Sequence, residues 1–294
     1  MADYGHDLRF GVFLTPLAEH PQTLLETATV AEQEGLDLVT CQDHPYQSRF
    51  LDTWTLLSVI AARTERVRVA PNVADLPLRP PVMLARAVAS LDILSGGRIE
   101  LGIGAGAFWD AIAAMGGPRR TPGEAVDALA EALPIIRATW AAGGRGLRFD
   151  GDHYKITGAR PGPAPVHDIE IWVGGYKPRM LALTGAQADG WLPSLGYIDI
   201  EDIPAANARI DAAAEEAGRS PRDVRRMLNI GGTFGSGEQL KGPPAGWADL
   251  LADLTLREGI STYLMAVDGP EETRRFAAEV APAVREQVAA ARGG

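Results

Sequence analysis

Short segments of apolar, often β-branched residues alternate along the chain with longer segments in which apolar residues return every three or four positions. The short segments predict strands at 8–15, 36–44, 67–73, 98–104, 169–175, 189–194, 224–234 and 261–267. The longer segments predict helices at 21–35, 52–64, 80–95, 121–142, 177–187, 200–218, 246–259 and 270–290. Strands that alternate with helices in this way predict parallel strands joined by right-handed crossovers.

Eight strand–helix units in 294 residues predict an α/β protein with a closed (β/α)8 TIM barrel, formed by residues 1–294 as a single domain. The alternative is an open Rossmann-like sheet with a small second domain. That fold places a glycine-rich turn after its first strand. The first turn here, "FLTPLAEHP" at 13–21, contains no glycine, which favours the barrel.

One segment does not follow the alternation. Between the fourth and fifth units, "LRF" at 147–149 and "HYKI" at 153–156 flank "DGD" at 150–152. Two short strands around a glycine turn predict a β-hairpin. We expect residues 146–165 to be an insertion into the barrel with a structural role.

Glycine occupies every second position at the end of the fourth predicted strand and just after it, at Gly102, Gly104 and Gly106. With Ala107, the run matches the loose dinucleotide-binding pattern G-x-G-x-x-A. It lies in the fourth unit rather than the first, and no acidic residue ends a second strand about 20 residues later. Alternate residues of a strand face the same side. We therefore expect these glycines to clear one wall so that a flat or bulky group can approach the backbone.

Composition and charge exclude several classes of partner. Hydrophobic residues make up 46% of the chain and charged residues 22%, and the formal net charge is −10. An acidic surface repels nucleic acid and anionic membranes, so neither is an expected partner. No apolar segment approaches the roughly 18 residues of a membrane span, and we expect a cytoplasmic protein. The single cysteine, Cys41, precludes an internal disulfide and is expected to serve packing rather than catalysis.

Polar residues that end barrel strands are the first candidates for chemistry, because the active sites of such barrels lie at the carboxyl ends of the strands. Asp43 and His44 end the second predicted strand, and Asn72 ends the third. A histidine exchanges protons near neutral pH, and a carboxylate beside it can set its charge. The alternative for Asp43 and His44 is a hydrogen-bonded pair that only shapes the loop.

The fifth predicted strand ends in the best candidate for a phosphate site, which we call the 174–179 loop. Gly174 and Gly175 expose backbone, Pro178 suits a first helical turn, and Lys177 and Arg179 supply positive charge. Backbone N–H groups at a helix start attract anions. The alternative is a tight turn with solvated basic side chains.

Other reaction classes find no support in the sequence. No two of the five histidines stand four residues apart, as they do in the H-E-x-x-H zinc motif. The nucleophile elbow G-x-S-x-G and the P-loop G-x-x-x-x-G-K-[ST] are also absent. We therefore expect neither a metal centre nor a serine hydrolase.

Taken together, six segments resemble the luciferase-like flavin- and deazaflavin-dependent oxidoreductases, and the resemblance covers nearly the whole chain. The segments are "FGVFLTP" at 10–16, "DH" at 43–44, "SLDILSGGRIELGIGAG" at 90–106, "FDGDHYKI" at 149–156, "IWVGGYKPRML" at 171–181 and "ADGWLPS" at 188–194. The resemblance implies a (β/α)8 barrel with an insertion, a flavin-type ring at the barrel mouth, and a homodimer. It also implies a non-prolyl cis peptide against the ring, which maps to Asn72–Val73.

The "DH" pair is more similar to the branch of this family that uses the deazaflavin coenzyme F420 than to the luciferase branch. The resemblance implies that His44 moves or stabilises a proton and that Asp43 orients His44 or binds the polar edge of the ring. The residues implied to contact the cofactor are Asp43, His44, Asn72, Val73, Gly104, Ala105, Gly106, Gly174, Gly175, Lys177, Pro178 and Arg179.

One departure from the family pattern concerns the substrate. Some deazaflavin dehydrogenases carry an acidic proton donor just after the glycine run, where this chain has Ala107. This argues against a sugar-phosphate substrate, and we assign Phe13, Tyr46, Phe108 and Trp109 to an apolar, aromatic substrate wall. The sequence predicts F420-dependent hydride transfer. The alternatives are an FMN-dependent monooxygenase and a non-catalytic flavin-binding member of the family.

Overall fold

The computed structural model describes residues 3–141, 146–237, 239–267 and 269–293. Within those ranges the strands are β1 Arg9–Leu14, β2 Leu38–Cys41, β3 Arg68–Pro71, β4 Ala74–Asp75, β5 Leu101–Gly104, β6 Leu147–Asp150, β7 Lys155–Ala159, β8 Ile171–Val173, β9 Gly190–Trp191, β10 Arg225–Ile230 and β11 Ile260–Ala266. The helices are α1 Pro21–Gln33, α2 Thr53–Arg63, α3 Pro81–Ser95, α4 Trp109–Ala114, α5 Pro122–Trp140, α6 Pro178–Gln187, α7 Ile203–Glu216, α8 Pro244–Glu258, α9 Pro270–Arg275 and α10 Ala281–Gly293.

Nine of these strands form one parallel sheet in the order β3-β2-β1-β11-β10-β9-β8-β5-β4. A parallel bridge between Val69 of β3 and Ile99, just before β5, brings the two ends of the sheet together. The third barrel strand is split into β3 and β4 at the cis peptide Asn72–Val73. Eight barrel positions therefore account for nine strands, and the predicted (β/α)8 barrel is confirmed, as is the cis peptide.

The predicted hairpin is also confirmed. β6 and β7 pair antiparallel, with Phe149 opposite Ile156. Its turn is attached to α5 because the carboxylate of Glu131 accepts hydrogen bonds from the backbone N–H groups of residues 152–154. The insertion thus leans on the outside of the barrel.

Most predicted strands end earlier in the structure than the sequence pattern indicated. β2 ends at Cys41 rather than residue 44, and β8 ends at Val173 rather than residue 175. The residues after each strand leave the sheet and form loops at the barrel mouth. The short helix α4, which the sequence analysis missed, begins at Trp109 directly after the glycine run.

Alternate strand residues build two apolar layers, as the two-residue period of a strand requires. Phe10, Val12 and Leu14 of β1 pack in the outer layer, between strands and helices. The inner cluster fills the barrel and consists of Leu38, Ala70, Trp172, Leu192, Met227 and Leu264. Phe13 and Val73 pack against it. Within the described residues the inner cluster therefore fills the barrel below its mouth, and the cavity at the mouth lies above this layer.

Two further expectations can be compared with the described residues. Cys41 is fully buried and packs in the outer layer, and burial raises the pKa of its thiol. A protonated, inaccessible thiol is not a nucleophile. None of the described helices is long and apolar enough to cross a membrane.

Candidate active site

A cavity of about 530 Å³ opens at the carboxyl ends of β2, β4, β5 and β8. Its walls are mostly backbone of glycine-rich loops and apolar side chains. The lining residues are Asp43, His44, Tyr46, Val73, Ala74, Asp75, Gly104, Ala105, Gly106, Ala107, Phe108, Trp109, Pro122, Ala125, Val126, Gly174, Gly175, Tyr176, Lys177 and Met180. This volume and chemistry are typical of a site for a small organic ligand.

His44 stands in an aromatic group at the edge of the cavity. Its Nδ1 lies 2.6 Å from the hydroxyl oxygen of Tyr46, and the Phe108 ring lies edge-on to it with centroids 5.7 Å apart. Burial lowers the pKa of His44, and the negative charge of Asp43 only partly opposes that shift. Burial also raises the pKa of the Tyr46 hydroxyl. The imidazole is therefore neutral at pH 7, and a protonated Tyr46 is available to donate to Nδ1.

Asp43 does not hydrogen bond to His44. Its carboxylate accepts two hydrogen bonds from Arg79, at 2.6 and 2.7 Å, and a third from the backbone N–H of Asp75 at 3.0 Å. The Asp43 side chain is 1% exposed and Arg79 is partly buried, and Arg79 also reaches Asp52 at 2.9 Å. The hydrogen bond that orients His44 therefore comes from Tyr46 and not from Asp43. The other role expected for Asp43, binding the polar edge of the ring, stays a prediction.

Three glycines receive the side chain of Val73. A Cβ atom at Gly104 would lie 2.8 Å from Val73 Cγ2, and one at Gly174 would lie 3.2 Å from the same atom. A Cβ at Gly102 would clash with the carbonyl oxygen of Pro71 and come within 3.2 Å of Val73. These glycines therefore make room for a side chain of the barrel itself, and their role in admitting a ring stays a prediction. They admit Val73, and Val73 forms the floor that a ring would meet.

Gly106 has a different reason for being glycine. Its φ is +91°, a left-handed conformation that side chains disfavour. A Cβ there would also lie 2.6 Å from Pro77. The positive φ turns the chain from β5 into α4 and so brings Phe108 and Trp109 to the cavity.

The 174–179 loop leads into α6, which begins at Pro178 with Lys177 as its N-cap residue. Among the described residues, no side chain caps this helix start and its first turn carries no acidic residue. The Lys177 ammonium lies 4.7 Å from the centre of the Tyr176 ring. Arg179 forms an exposed ion pair with Asp127 at 2.6 Å. The helix start, with its outward N–H groups, remains suited to an anion.

The structure brings most of the predicted site residues together but leaves four outside the cavity lining. Pro178 and Arg179 lie beside it on α6, and Phe13 packs on the inner cluster. Asn72 is buried and forms a reciprocal amide pair with Asn229, at 2.7 and 3.0 Å. The side chain of Asn72 thus ties β3 to β10 across the barrel.

Sequence reasoning missed several residues that build the site. Asp75 and Met180 line the cavity, and Arg79 neutralises Asp43. Asp75 follows the break in the third strand, so a strand pattern alone does not reveal where it points. Within the described ranges, no group of three or more His, Cys, Asp or Glu side chains is arranged to hold a metal ion.

Known proteins resemble this chain in sequence and in fold. The sequence profile of the luciferase-like monooxygenase family matches residues 8–238. An F420-dependent glucose-6-phosphate dehydrogenase of Nocardia farcinica is 30% identical over 239 residues, which cover 76% of this chain and 68% of that protein. Curated relatives are matched over 60% to 68% of their own length.

Solved structures share the fold at low sequence identity. An F420-dependent secondary alcohol dehydrogenase in complex with an F420-acetone adduct has a TM-score of 0.78 at 19% identity, covering 95% of this chain and 99% of that chain. A riboflavin lyase with modified FMN and riboflavin has a TM-score of 0.81 at 16% identity, covering 96% and 92%.

Proposed function

This chain belongs to the luciferase-like monooxygenase family, and from that premise we propose that it is an oxidoreductase that transfers hydride between coenzyme F420 and a small apolar or aromatic substrate. The observation that carries the proposal is the position of His44. It lines a ring-sized cavity whose floor is Val73, directly after a cis peptide. The similarity to an F420-dependent dehydrogenase over 76% of the chain supports the choice of cofactor.

The residues present fit a deazaflavin. A planar ring needs a flat wall, and the backbone of residues 104–106 and 174–175 lines the cavity on both sides of Val73. A phosphate-bearing chain needs donors at one end, and the 174–179 loop offers a helix start and Lys177. When bound, F420 supplies a two-electron hydride carrier at C5 of its ring.

His44 would stabilise the reacting centre while the hydride and the accompanying proton are transferred. If Tyr46 donates to Nδ1, the imidazole carries its hydrogen on Nε2. Among the described residues this nitrogen has no hydrogen-bond partner. A neutral imidazole in this tautomer donates a hydrogen bond from Nε2–H, which stabilises negative charge that develops on a bound ligand. Tyr46 would keep the ring in one orientation.

The rest of the cavity supports an apolar or aromatic substrate. Tyr46 and Phe108 pack 5.5 Å apart on one side of the mouth, and Tyr176 stacks on Tyr197 on the other. Phe108 is 52% exposed, so its ring is available to a ligand. Ala107 contributes only a methyl group to the lining. A substrate with several hydroxyl groups would find few partners here.

The test of the proposal is a titration of the purified protein with F420 and with FMN, followed by absorbance and fluorescence and then by an oxygen electrode. We expect F420 to bind more tightly and its reduced form to reduce an aromatic carbonyl or quinone acceptor without oxygen uptake. Tight binding of FMN with oxygen uptake would contradict F420 dependence. Binding of either cofactor without turnover of any acceptor would identify a non-catalytic member.

An FMN-dependent monooxygenase is the second candidate, because the flat wall and the helix start of the cavity suit either cofactor. FMN also joins a tricyclic ring to a phosphate. The flat wall and the 174–179 loop therefore suit it on the same physical grounds. Oxygen uptake in the titration described above separates the two candidates.

A further inference from the structure

Asp75 is a buried acid in the cavity wall that neither the sequence analysis nor the proposed mechanism uses. Asp75 is the last residue of β4 and pairs with Gly104 of β5. Both residues line the cavity. Asp75 is 6% exposed. Its Oδ1 is buried without a hydrogen-bond partner among the described residues. An ionised carboxylate with an unpartnered buried oxygen is costly, so this geometry favours the neutral acid.

The surroundings of Asp75 act in the same direction. Asp43, in the loop after β2, accepts a hydrogen bond from the Asp75 backbone N–H at 3.0 Å. The cation that acts on Asp75 is Arg79, and its guanidinium is already engaged by Asp43 and Asp52. Tyr46 faces the same corner and bears no charge at neutral pH. Asp43 and Asp52 therefore share the guanidinium of Arg79, which is not bonded to Asp75.

Burial, followed by the charge of Asp43, raises the pKa of Asp75 to about 7, although Arg79 and the backbone N–H of Leu78 pull in the opposite direction. Because His44 shifts downward and Tyr46 upward, Asp75 is the group in this corner that titrates between them. The protonated carboxyl of Asp75 therefore lines the same cavity as Ala107, the position at which some deazaflavin dehydrogenases carry an acid.

We propose that Asp75 is the proton-carrying acid of this cavity: its neutral carboxyl donates a hydrogen bond to the bound ligand and supplies the proton when a carbonyl-type acceptor is reduced. The proposal rests on the proposed function. The acceptor carbon gains hydride from reduced deazaflavin, which is thereby oxidised. The acceptor oxygen gains the Asp75 proton, and its C–O π bond is broken. The carboxylate left behind recovers its proton from water.

The first experiment uses the protein without cofactor. The protein is labelled with ¹³C at the aspartate carboxyl groups, and the Asp75 signal is assigned as the one that Asp75→Asn removes. We expect that signal to titrate near pH 7. A signal that titrates near the ordinary aspartate value of about 4 would overturn the proposal, whichever cofactor the protein uses. Should Asp75→Asn fail to fold, Asp75→Ser serves for the assignment.

The second experiment measures the affinity for F420 and for FMN as a function of pH. If only the protonated acid donates to the ligand, a pKa near 7 makes the affinity fall about tenfold between pH 6 and pH 8. Asp75→Asn keeps an N–H donor that cannot ionise, so it should remove this dependence. His44→Gln should keep it, and pH effects common to all three proteins belong to the cofactor itself.

A pH dependence that persists in Asp75→Asn would contradict the proposal. The experiments distinguish a wrong cofactor from a wrong role for Asp75. If neither cofactor binds at any pH, the proposed function is wrong, and the carboxyl titration still decides whether Asp75 holds a proton.

Discussion

Replacing Gly104 with alanine tests whether Val73 occupies the space that the glycines clear. The added Cβ would lie 2.8 Å from Val73 Cγ2. Carbon atoms in van der Waals contact stand about 3.5–4.0 Å apart, so one side chain or the backbone must move. Val73 cannot turn away easily, because a β-branched side chain has few χ1 rotamers. Its methyl groups also lie close to two other glycines, 3.2 Å from where a Cβ atom at Gly102 or Gly174 would stand.

The expected cost is that of overpacking, about 1–3 kcal/mol in the free energy of unfolding. Val73→Ala removes both Cγ atoms and therefore removes the clash. Val73 is only partly buried, and losing two methyl groups there should cost no more than about 1.5 kcal/mol. The double variant should then be about as stable as Val73→Ala alone, with a coupling free energy of about 1–3 kcal/mol.

Urea denaturation of the four proteins in this double-mutant cycle measures the coupling. Gly102→Ala is the matched control. Its Cβ would clash with the carbonyl oxygen of Pro71, which is backbone, so Val73→Ala should not rescue it. Additivity in the Gly104 cycle, or equal rescue at Gly102, would refute the account in which these glycines seat Val73.

Three other predictions follow from the site. His44→Ala should lower turnover about 10²-fold or more without changing the melting temperature, and unfolding would instead indicate a structural role. Replacing Lys177 and Arg179 with alanine should weaken F420 binding by about 1–3 kcal/mol, less at high salt, and leave a phosphate-free ring unaffected. Most of that loss should come from Lys177, since Arg179 already pairs with Asp127. An equal loss for the bare ring would contradict a phosphate site. The raised pKa of Asp75, about 7 against 3.8 when unfolded, means that the folded state holds an extra proton between those values, so stability falls as pH rises through this window. Asp75→Asn should abolish this fall, at most about 3 kcal/mol between pH 5 and pH 8, in thermal melts over that range. A fall that persists in the variant would assign it to other groups.

The barrel was accessible to sequence reasoning because its strands are buried on both faces. Each barrel strand therefore appears as a short apolar run followed by an amphipathic helix, as at 8–15 and 21–35. The hairpin was accessible for a similar reason, since "DGD" marks its turn. The short helix α4 was not, because six residues after a glycine run carry too little periodicity to reveal a helix.

The candidate site was accessible in part. Asp43, His44 and the 174–179 loop stand at strand ends, and strand ends meet at one face of a parallel barrel. The partners of these residues depend on side-chain geometry across the fold. Arg79 is 36 residues from Asp43. Tyr46, rather than Asp43, bonds to His44. No local pattern distinguishes these pairings from their alternatives.

The position of Asp75 in the cavity wall could not be predicted from the sequence either. The stretch "NVADLP" at 72–77 has no regular alternation, and the third barrel strand is broken there into β3 and β4. Whether Asp75 faces the cavity or the solvent is decided by that break. Its burial and unpartnered oxygen could be recognised only in three dimensions.

A crystal structure of the protein with F420 tests the central claim most directly. We predict that the ring lies on Val73 with His44 at its edge, and that the phosphate lies at the 174–179 loop near Lys177. A ring bound outside this cavity, or a phosphate on the opposite side of the mouth, would contradict the account.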